Sequence, residues 1–471
     1  MSGKSQPRFP ESSHATEDVD TIDDELLDDA SFEYDGDLDH APATSYGTYL
    51  DGINEGLEPL EEYQEGGYHP IHLGDTLGAS GRYRVIHKLG HGGFGTVWLC
   101  RDMQDPGYVA IKVMAGDVTP ETLPDLTLTR LDRSAPGAEY IAIPLDSFSI
   151  AGPNGSHQCI VLPVLGPCVS PRLWLRLKKD PGPVLRGMAH QAALAMNFLH
   201  KHGLCHGGRY HPIAPSTTLL GTNNIPDFRP SNILVKLANV NQLPEDELLS
   251  LLGQPEKAHV RTESGEDLPA ASPRYLIIPA DTSRLGDEYL TDQICVIDFG
   301  ESFPISSPPT DLGIPENYLP PEVLLGQENA IGLACDLWAL GCTLFEIREQ
   351  LPLFYMIFDK DELLAEMVRF FGKPPQTWWD KWEAREDFFD DQGTWLRDGD
   401  DKEEWSLEAA LSKPIEIVQP GGDHNGAAQK VLITSKAEQG LMADLLYKLF
   451  RYEAEKRPSV EEVLAHEWFK M

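Results

Sequence analysis

Apolar and polar residues alternate in short blocks through the second hundred residues of the chain, the two-residue period of strands. "RYRVIHKLG", "GTVWLCRD" and "YVAIKVM" are split by glycines and by Asp-Pro-Gly; "YIAIPLDSFSI" and "QCIVLPVLG" follow, with the turn "AGPNGS" inside the pair. One helix candidate, "TPETLPDLTLTRLDR", lies between the third and fourth blocks. After Gly166 the period becomes helical. "LRGMAHQAALAMNFLHKHG" repeats apolar residues every three to four positions and stops at a glycine. "ACDLWALGCTLFEIRE", "DELLAEMVRFFG", "AEQGLMADLLYKLF" and "SVEEVLAHEWF" continue the pattern. The order predicts an α+β fold: a small five-stranded antiparallel β lobe with one helix over residues 83–166, then a larger, mainly helical lobe over 167–471. A polar insert at 236–290 has one amphipathic piece, "PEDELLSLLGQPEK", and little else to anchor it.

Composition narrows the class. An apolar fraction of 41% with 9% aromatics supplies a core for 471 residues. There is no apolar run of membrane-spanning length, and "MSGKSQPRFP" resembles neither a signal peptide nor a transit helix, so no membrane role is expected. The seven cysteines contain no CxxC pair, which speaks against zinc and a disulfide framework. The net charge is −37, and residues 1–75 hold 20 acidic against 2 basic side chains, a net of −18. Such a field repels phosphates, so direct nucleic-acid binding is not expected and a cationic partner is favoured. Residues 1–58 read as an acidic disordered tail, either solubilising or an interaction arm. Residues 59–82, around "EEYQEGGYHPIHLGD", read as an extended segment packed on the folded body.

Four motifs carry chemistry. "KLGHGGFGTVWL" sets Gly90, Gly92 and Gly95 as GxGxxG with Val97 after them, between two strands. That context suits a hairpin covering nucleotide phosphates rather than a dinucleotide fold. In "VAIK", Ala110 and Lys112 follow; a lysine on an apolar strand needs a partner, and phosphates plus a helix carboxylate provide one. "CVIDFGESF" ends an apolar strand at Asp298, suited to holding Mg²⁺ against phosphates. In "DFRPSNILV", Asp227 is placed to orient a substrate hydroxyl and accept its proton, Asn232 to bind a second metal, and Arg229 to face a transferring phosphoryl group.

Together with "YLPPEVLLG", "DLWALG" (Asp336, Trp338, Gly341) and "EKRPSVEEVLAHEWF", these motifs resemble a eukaryotic-type protein kinase over residues 83–469, with Glu322 able to pair with Arg457. The segment "EEYQEGGYHPIHLGD", the insert before "IDFG" and "CIVLPVLGPC" at the hinge (Leu162 to Leu165) are similar to the SR protein kinases of the CMGC group, in a fungal-type form. The resemblance implies a bilobal protein kinase fold, ATP and Mg²⁺ as cofactors, and serine/threonine phosphorylation of basic, Arg/Ser-rich proteins by a monomer. It also implies a cytoplasmic and nuclear setting, although no basic localisation cluster is present. Aminoglycoside-phosphotransferase-type enzymes share the lobe plan and HGD, but lack "PPE", "DLWALG" and "KRP".

Three departures matter. The helix after the Lys112 strand offers no glutamate in register. Asp125, one methylene shorter, is the best match, with Leu128 and Leu131 on the inner face and Glu121 as the alternative. The residue after the catalytic-loop histidine is Gly207, not a cation, so no activation-loop phosphorylation is required; Ser306, Ser307 and Thr310 are the nearby hydroxyls. The third departure is the stretch from Gly208 to Pro226, nineteen residues between His206-Gly207 and Asp227. It has no strand or helix period, and such length at a tight loop is unusual. Reverse translation permits an unspliced in-frame intron, with a GT donor at Gly208, a CTAAC branch in Thr222-Asn223 and an AG acceptor at Pro226-Asp227. A real inserted loop is the other reading. If it disrupts the catalytic loop, the chain is a pseudokinase scaffold that binds nucleotide or a basic partner.

Overall fold

The computed structural model describes residues 43–52, 56–116, 118, 123–207, 228–310, 312, 315–327, 330–357, 359–396, 405–418 and 429–471. In chain order β1 (Thr48–Leu50) and β2 (Thr76–Leu77) precede β3 (Tyr83–Gly92), β4 (Gly95–Asp102), β5 (Gly107–Met114), β6 (Asp146–Gly152) and β7 (Gly155–Pro163). Strands β2 to β7 form one antiparallel sheet in the order β2-β3-β4-β5-β7-β6. The sheet therefore has six strands, not five. The extra one, β2, is two residues long, too short to show a period, and belongs to the segment before Tyr83. Pairing of Val97 with Lys112 and of Ala110 with Leu162 sets all four on one face, because side chains two apart in a strand share a face. Trp98, Cys100, Ile111, Val113, Cys159 and Val161 are buried on the other.

The expected helix over 119–133 is cut short. α1 covers Pro124–Thr127 and passes into a 3₁₀ turn over Leu128–Arg130. Pro124 at its first turn sets the start. The hydroxyls of Thr127 and Thr129 donate back to the carbonyls of Pro124 (2.6 Å) and Leu126 (2.7 Å), a local bond that competes with helix propagation.

β8 (Leu165–Cys168) leads into the large lobe, followed by α2 (Pro181–Lys201) and β9 (Leu204–Cys205). Asp180 caps α2 by accepting from the Gly182 N–H at 3.3 Å. β10 (Ile233–Leu237), α3 (Glu245–Leu252), β11 (Lys257–Thr262), β12 (Tyr275–Ile277), β13 (Leu290–Val296) and β14 (Phe303–Pro304) come next. The remaining helices are α4 (Pro321–Leu324), α5 (Leu333–Glu349), α6 (Lys360–Phe371), α7 (Gln376–Trp379), α8 (Leu407–Ser412), α9 (Lys436–Leu449) and α10 (Val460–Leu464). α5 is apolar nearly all round and is buried from Cys335 to Glu349, the axle of this lobe. Glu322 and Arg457 form a buried two-point pair, 2.6 and 2.8 Å, joining α4 to the segment before α10.

Two segments expected to be loosely attached are part of the body. β1 lies within the range read as tail, yet it pairs with β11 from the insert, Thr48 opposite Thr262 and Leu50 opposite Val260. β11 pairs with β12, whose Tyr275 and Ile277 enter the second face of the small-lobe sheet beside Ile71 and Leu77. Leu248 and Leu252 of α3 cover Ile86, Leu99 and Tyr108. α3 is the amphipathic piece the sequence showed; β1, β11 and β12 are too short to announce themselves, and β1 lies some two hundred residues from its partner. Among the described residues no helix is long and apolar enough to cross a membrane, and all seven cysteines are free.

Candidate active site

The cleft is assembled from strand ends. β10 pairs with β13, Ile233 opposite Val296, and the Ile297 N–H donates to the Asn232 carbonyl at 2.9 Å. This sets Asn232 beside the strand end that presents Asp298. Asp298 has φ +63, a left-handed conformation uncommon for a residue with a β-carbon and typical of a held functional group. Its Oδ1 accepts from Lys112 Nζ at 2.8 Å, linking the two lobes. Burial opposes the Lys112 charge, but the carboxylates of Asp298 and Asp125 outweigh it and push its pKa up.

Asp125 is buried in the same place without closing a pair. A β-carbon built on Gly300 would stand 3.8 Å from Asp125 Oδ2, Asp298 Oδ1 and Lys112 Nζ alike, so the three groups converge there. The close ion pair of Lys112 is with Asp298, and Asp125 Oδ2 has no hydrogen-bond partner among the described residues. Burial raises the Asp125 pKa against the pull of Lys112. Asp125 thus replaces the expected helix carboxylate in position, not in contact: its side chain is short and α1 is one turn long. Glu121, the alternative, lies outside the described residues.

The glycine motif is the turn between β3 and β4. Gly90 pairs with Val97 and Gly92 with Gly95. At Gly95, with φ +151, a β-carbon would fall 2.0 Å from the Val113 carbonyl, so no side chain fits. At Gly90 and Gly93 it would meet nothing within 4 Å, leaving the turn open on those sides. At the hinge, Leu162 ends β7 opposite Ala110, while Leu165 in β8 pairs with Lys236.

His206 braces the loop below. Its ring packs edge-on to Phe228 and Phe299, centroids 5.4 and 4.8 Å away, and its Nε2 meets the Ile297 carbonyl at 3.3 Å. Burial lowers its pKa, so the neutral ring that donates to the carbonyl is favoured. Asp336 of α5 accepts from the N–H groups of His206 (2.9 Å) and Gly207 (3.1 Å) and contacts His200 Nε2 at 2.9 Å. The sequence marked Asp336 only as a residue of the central helix; its anchoring of the loop comes from packing. Arg229 accepts at its carbonyl from the Asn232 N–H, 2.9 Å away; burial raises the pKa of Glu346, and the Arg229 guanidinium pulls weakly against that. Asp227 lies outside the described residues, as does Gly208–Pro226. The flanking residues nevertheless meet, since His206 and Phe228 are in ring contact.

The protein kinase domain family matches residues 287–469, beginning at the end of the second insert. Human SRSF protein kinase 3 is 37% identical over 174 residues, 34% of this chain and 30% of that protein. The match thus spans about 30% of the length of this mammalian relative. The serine/threonine-protein kinase SRPK of Physarum polycephalum is 25% identical over 438 residues, 89% of this chain and 92% of its own. A serine/threonine protein kinase of Aspergillus fumigatus is 24% identical over 441 residues, covering 91% and 94%. Residues 287–469 thus match the protein kinase domain family, whose bilobal mixed α/β fold agrees with the two lobes described above, and the chain is similar to SR protein kinases.

Proposed function

We propose that the chain is an ATP- and Mg²⁺-dependent serine/threonine protein kinase acting on basic, Arg/Ser-rich proteins. The observation that carries this reading is the 2.8 Å contact of Lys112 Nζ with Asp298 Oδ1, beside Asn232 and under a glycine turn with open sides. The donor set fits the group it would hold: a carboxylate and an amide oxygen suit a hard cation, and a buried lysine suits phosphate oxygens. Asp298 and Asn232 would hold Mg²⁺, which supplies charge neutralisation on the phosphates. Gly90, Gly92, Gly95 and Lys112 would hold the triphosphate, and Val97, Ala110, Asp125, Leu162 and Leu165 are assigned to the nucleotide cleft. Asp227 is assigned as acceptor of the substrate hydroxyl proton, with Arg229 as the cation facing the phosphoryl group. The net charge of −37 supports a basic substrate, which it would attract and speed to encounter. On the same reading the protein is a monomer of cytoplasm and nucleus, and the acidic residues ahead of β1 are a tail.

The test is transfer of radiolabelled phosphate from ATP to an Arg-Ser repeat peptide, by the chain and by Asp298→Ala. Transfer that depends on Asp298 supports the reading; none by either, with the peptide phosphorylated by an unrelated kinase, overturns it. A second reading, a scaffold that binds nucleotide without transfer, is favoured by one observation: Asp125 Oδ2 is buried and makes no bond. Nucleotide binding without transfer would select it.

A further inference from the structure

The segment before the first long strand reaches the glycine turn. Gly66 donates to the Asn154 carbonyl (2.8 Å), Gly116 donates to the Gly67 carbonyl (2.9 Å), and Asn154 Nδ2 donates to the Tyr68 carbonyl (2.6 Å). Gly67 tolerates no side chain, since a β-carbon would fall 1.9 Å from the Glu62 carbonyl. The backbone at Tyr68 is therefore pinned to the end of β5 and to the β6–β7 turn, fixed points of the sheet. From there the buried Tyr68 ring packs edge-on against Tyr63, 5.7 Å between centroids, and its hydroxyl donates to the Gly92 carbonyl at 2.6 Å. Tyr63 in turn donates to Glu58 Oε1 (2.6 Å), and Glu58 pairs with Lys88, fully buried on β3.

The geometry points to Tyr68 as a positioning residue for nucleotide phosphates, acting through the Gly92–Gly93 peptide. In a trans peptide the carbonyl and the next N–H point in opposite directions. A hydroxyl holding the Gly92 carbonyl on the Tyr68 side therefore aims the Gly93 N–H away from it. Gly92 pairs with Gly95 across the turn, but glycines at 92 and 93 put no side-chain limit on the tilt of that peptide, and a turn without a fixed donor loses entropy when it closes on phosphate. The assignment rests on the kinase reading for its ligand, but the anchoring itself does not.

The experiment compares the full chain with Tyr68→Phe, which keeps the ring and removes only the hydroxyl. Tyr452→Phe is the control, because Tyr452 makes the same kind of bond, to the Gly372 carbonyl at 2.8 Å, in the large lobe. Amide hydrogen exchange at Gly93–Gly95 and affinity for a fluorescent ATP analogue are measured, neither of which needs turnover. Expected in Tyr68→Phe alone are exchange faster by about fivefold at the turn and affinity weaker by about the same factor, the scale of one neutral hydrogen bond. Exchange equal to the control, exchange raised evenly over the whole sheet, or unchanged affinity would each overturn it. A parallel transfer assay separates the readings: a wild-type chain that binds the analogue but transfers nothing ends the kinase reading and leaves Tyr68 to be decided by exchange and affinity.

Discussion

Lys112 Nζ and Asp298 Oδ1 are 2.8 Å apart, one on a central strand of the small lobe and the other just past a strand of the large lobe. Lys112→Met and Asp298→Ala should each lower transfer by at least about a hundredfold, because each removes a fixed charge aimed at the phosphates. Asp298→Ala should not unfold the chain, since Asp125 still offsets the Lys112 charge; Lys112→Met leaves two carboxylates without their cation and should also cost stability. Circular dichroism checks the fold, and steady-state kinetics with the Arg-Ser peptide checks the loss.

Asp125 is a buried carboxyl with its pKa raised by burial. A raised carboxyl contributes stability that is present below its unfolded pKa and is lost as pH rises through the folded value. Asp125→Asn should therefore melt higher than the parent at pH 8, with the difference shrinking toward pH 4. Thermal melts across that range check it, and a lower melting point at pH 8 would contradict it.

Apolar side chains, not a cation, meet the activation segment at Gly207. A β-carbon there would stand 3.3 Å from Phe303, 3.6 Å from the Asp336 carboxylate that already holds the Gly207 N–H, and 3.8 Å from Leu312, and β14 pairs with β9. The segment is held by packing and backbone bonds, and among the described residues no cation stands beside Gly207 for a phosphate to bind. Phosphatase treatment should leave transfer unchanged, and so should Ser306→Ala, Ser307→Ala and Thr310→Ala. Loss of activity on dephosphorylation, restored by rephosphorylation, would refute it. Gly207→Arg should be destabilised, since it forces Phe303 or Leu312 out of place.

Ring contact between His206 and Phe228, centroids 5.4 Å apart, means that the residues flanking Gly208–Pro226 already stand side by side. Three peptide steps through Gly207 and Asp227 reach about 10 Å between α-carbons, room for two residues whose rings touch. A chain lacking Gly208–Pro226 should fold, and transfer only in that form would support the retained-intron reading. Equal, Asp298-dependent transfer by both forms would identify a real inserted loop, as would transcripts that uniformly contain the segment.

Glu349 is buried at the end of α5, where burial lifts its pKa to about 7 against the pull of Arg348 and the Thr434 hydroxyl. Its folded pKa lies above the ordinary 4.5, so its contribution is present below about 4.5 and is lost as pH rises to about 7. Glu349→Gln keeps the acceptor oxygen for Thr434 and cannot ionise. Denaturant titrations should show it gaining stability over the parent as pH goes from 5 to 8; a parallel pair of curves would exclude the effect.

The two-residue alternation of β3, β4, β5 and β7 and the helical repeat of α2, α5 and α9 each fit within a single stretch, which is why the two-lobe order was legible. The motifs at Gly90, Lys112, Asn232 and Asp298 were legible for the same reason: chemistry that needs fixed spacing writes it locally. The length of α1 was misread because hydroxyls bonding back to carbonyls outweighed its apolar spacing. β1 and β12 were missed because two or three residues carry no period and their partners lie in distant segments. By itself the sequence determined the kinase-like motifs and their order along the chain. Only the tertiary structure decided which of them touch: Asp298 rather than Asp125 on Lys112, Asp336 under His206, and Tyr68 on the glycine turn. Those contacts join residues on separate elements, and their distances are set by how the elements pack.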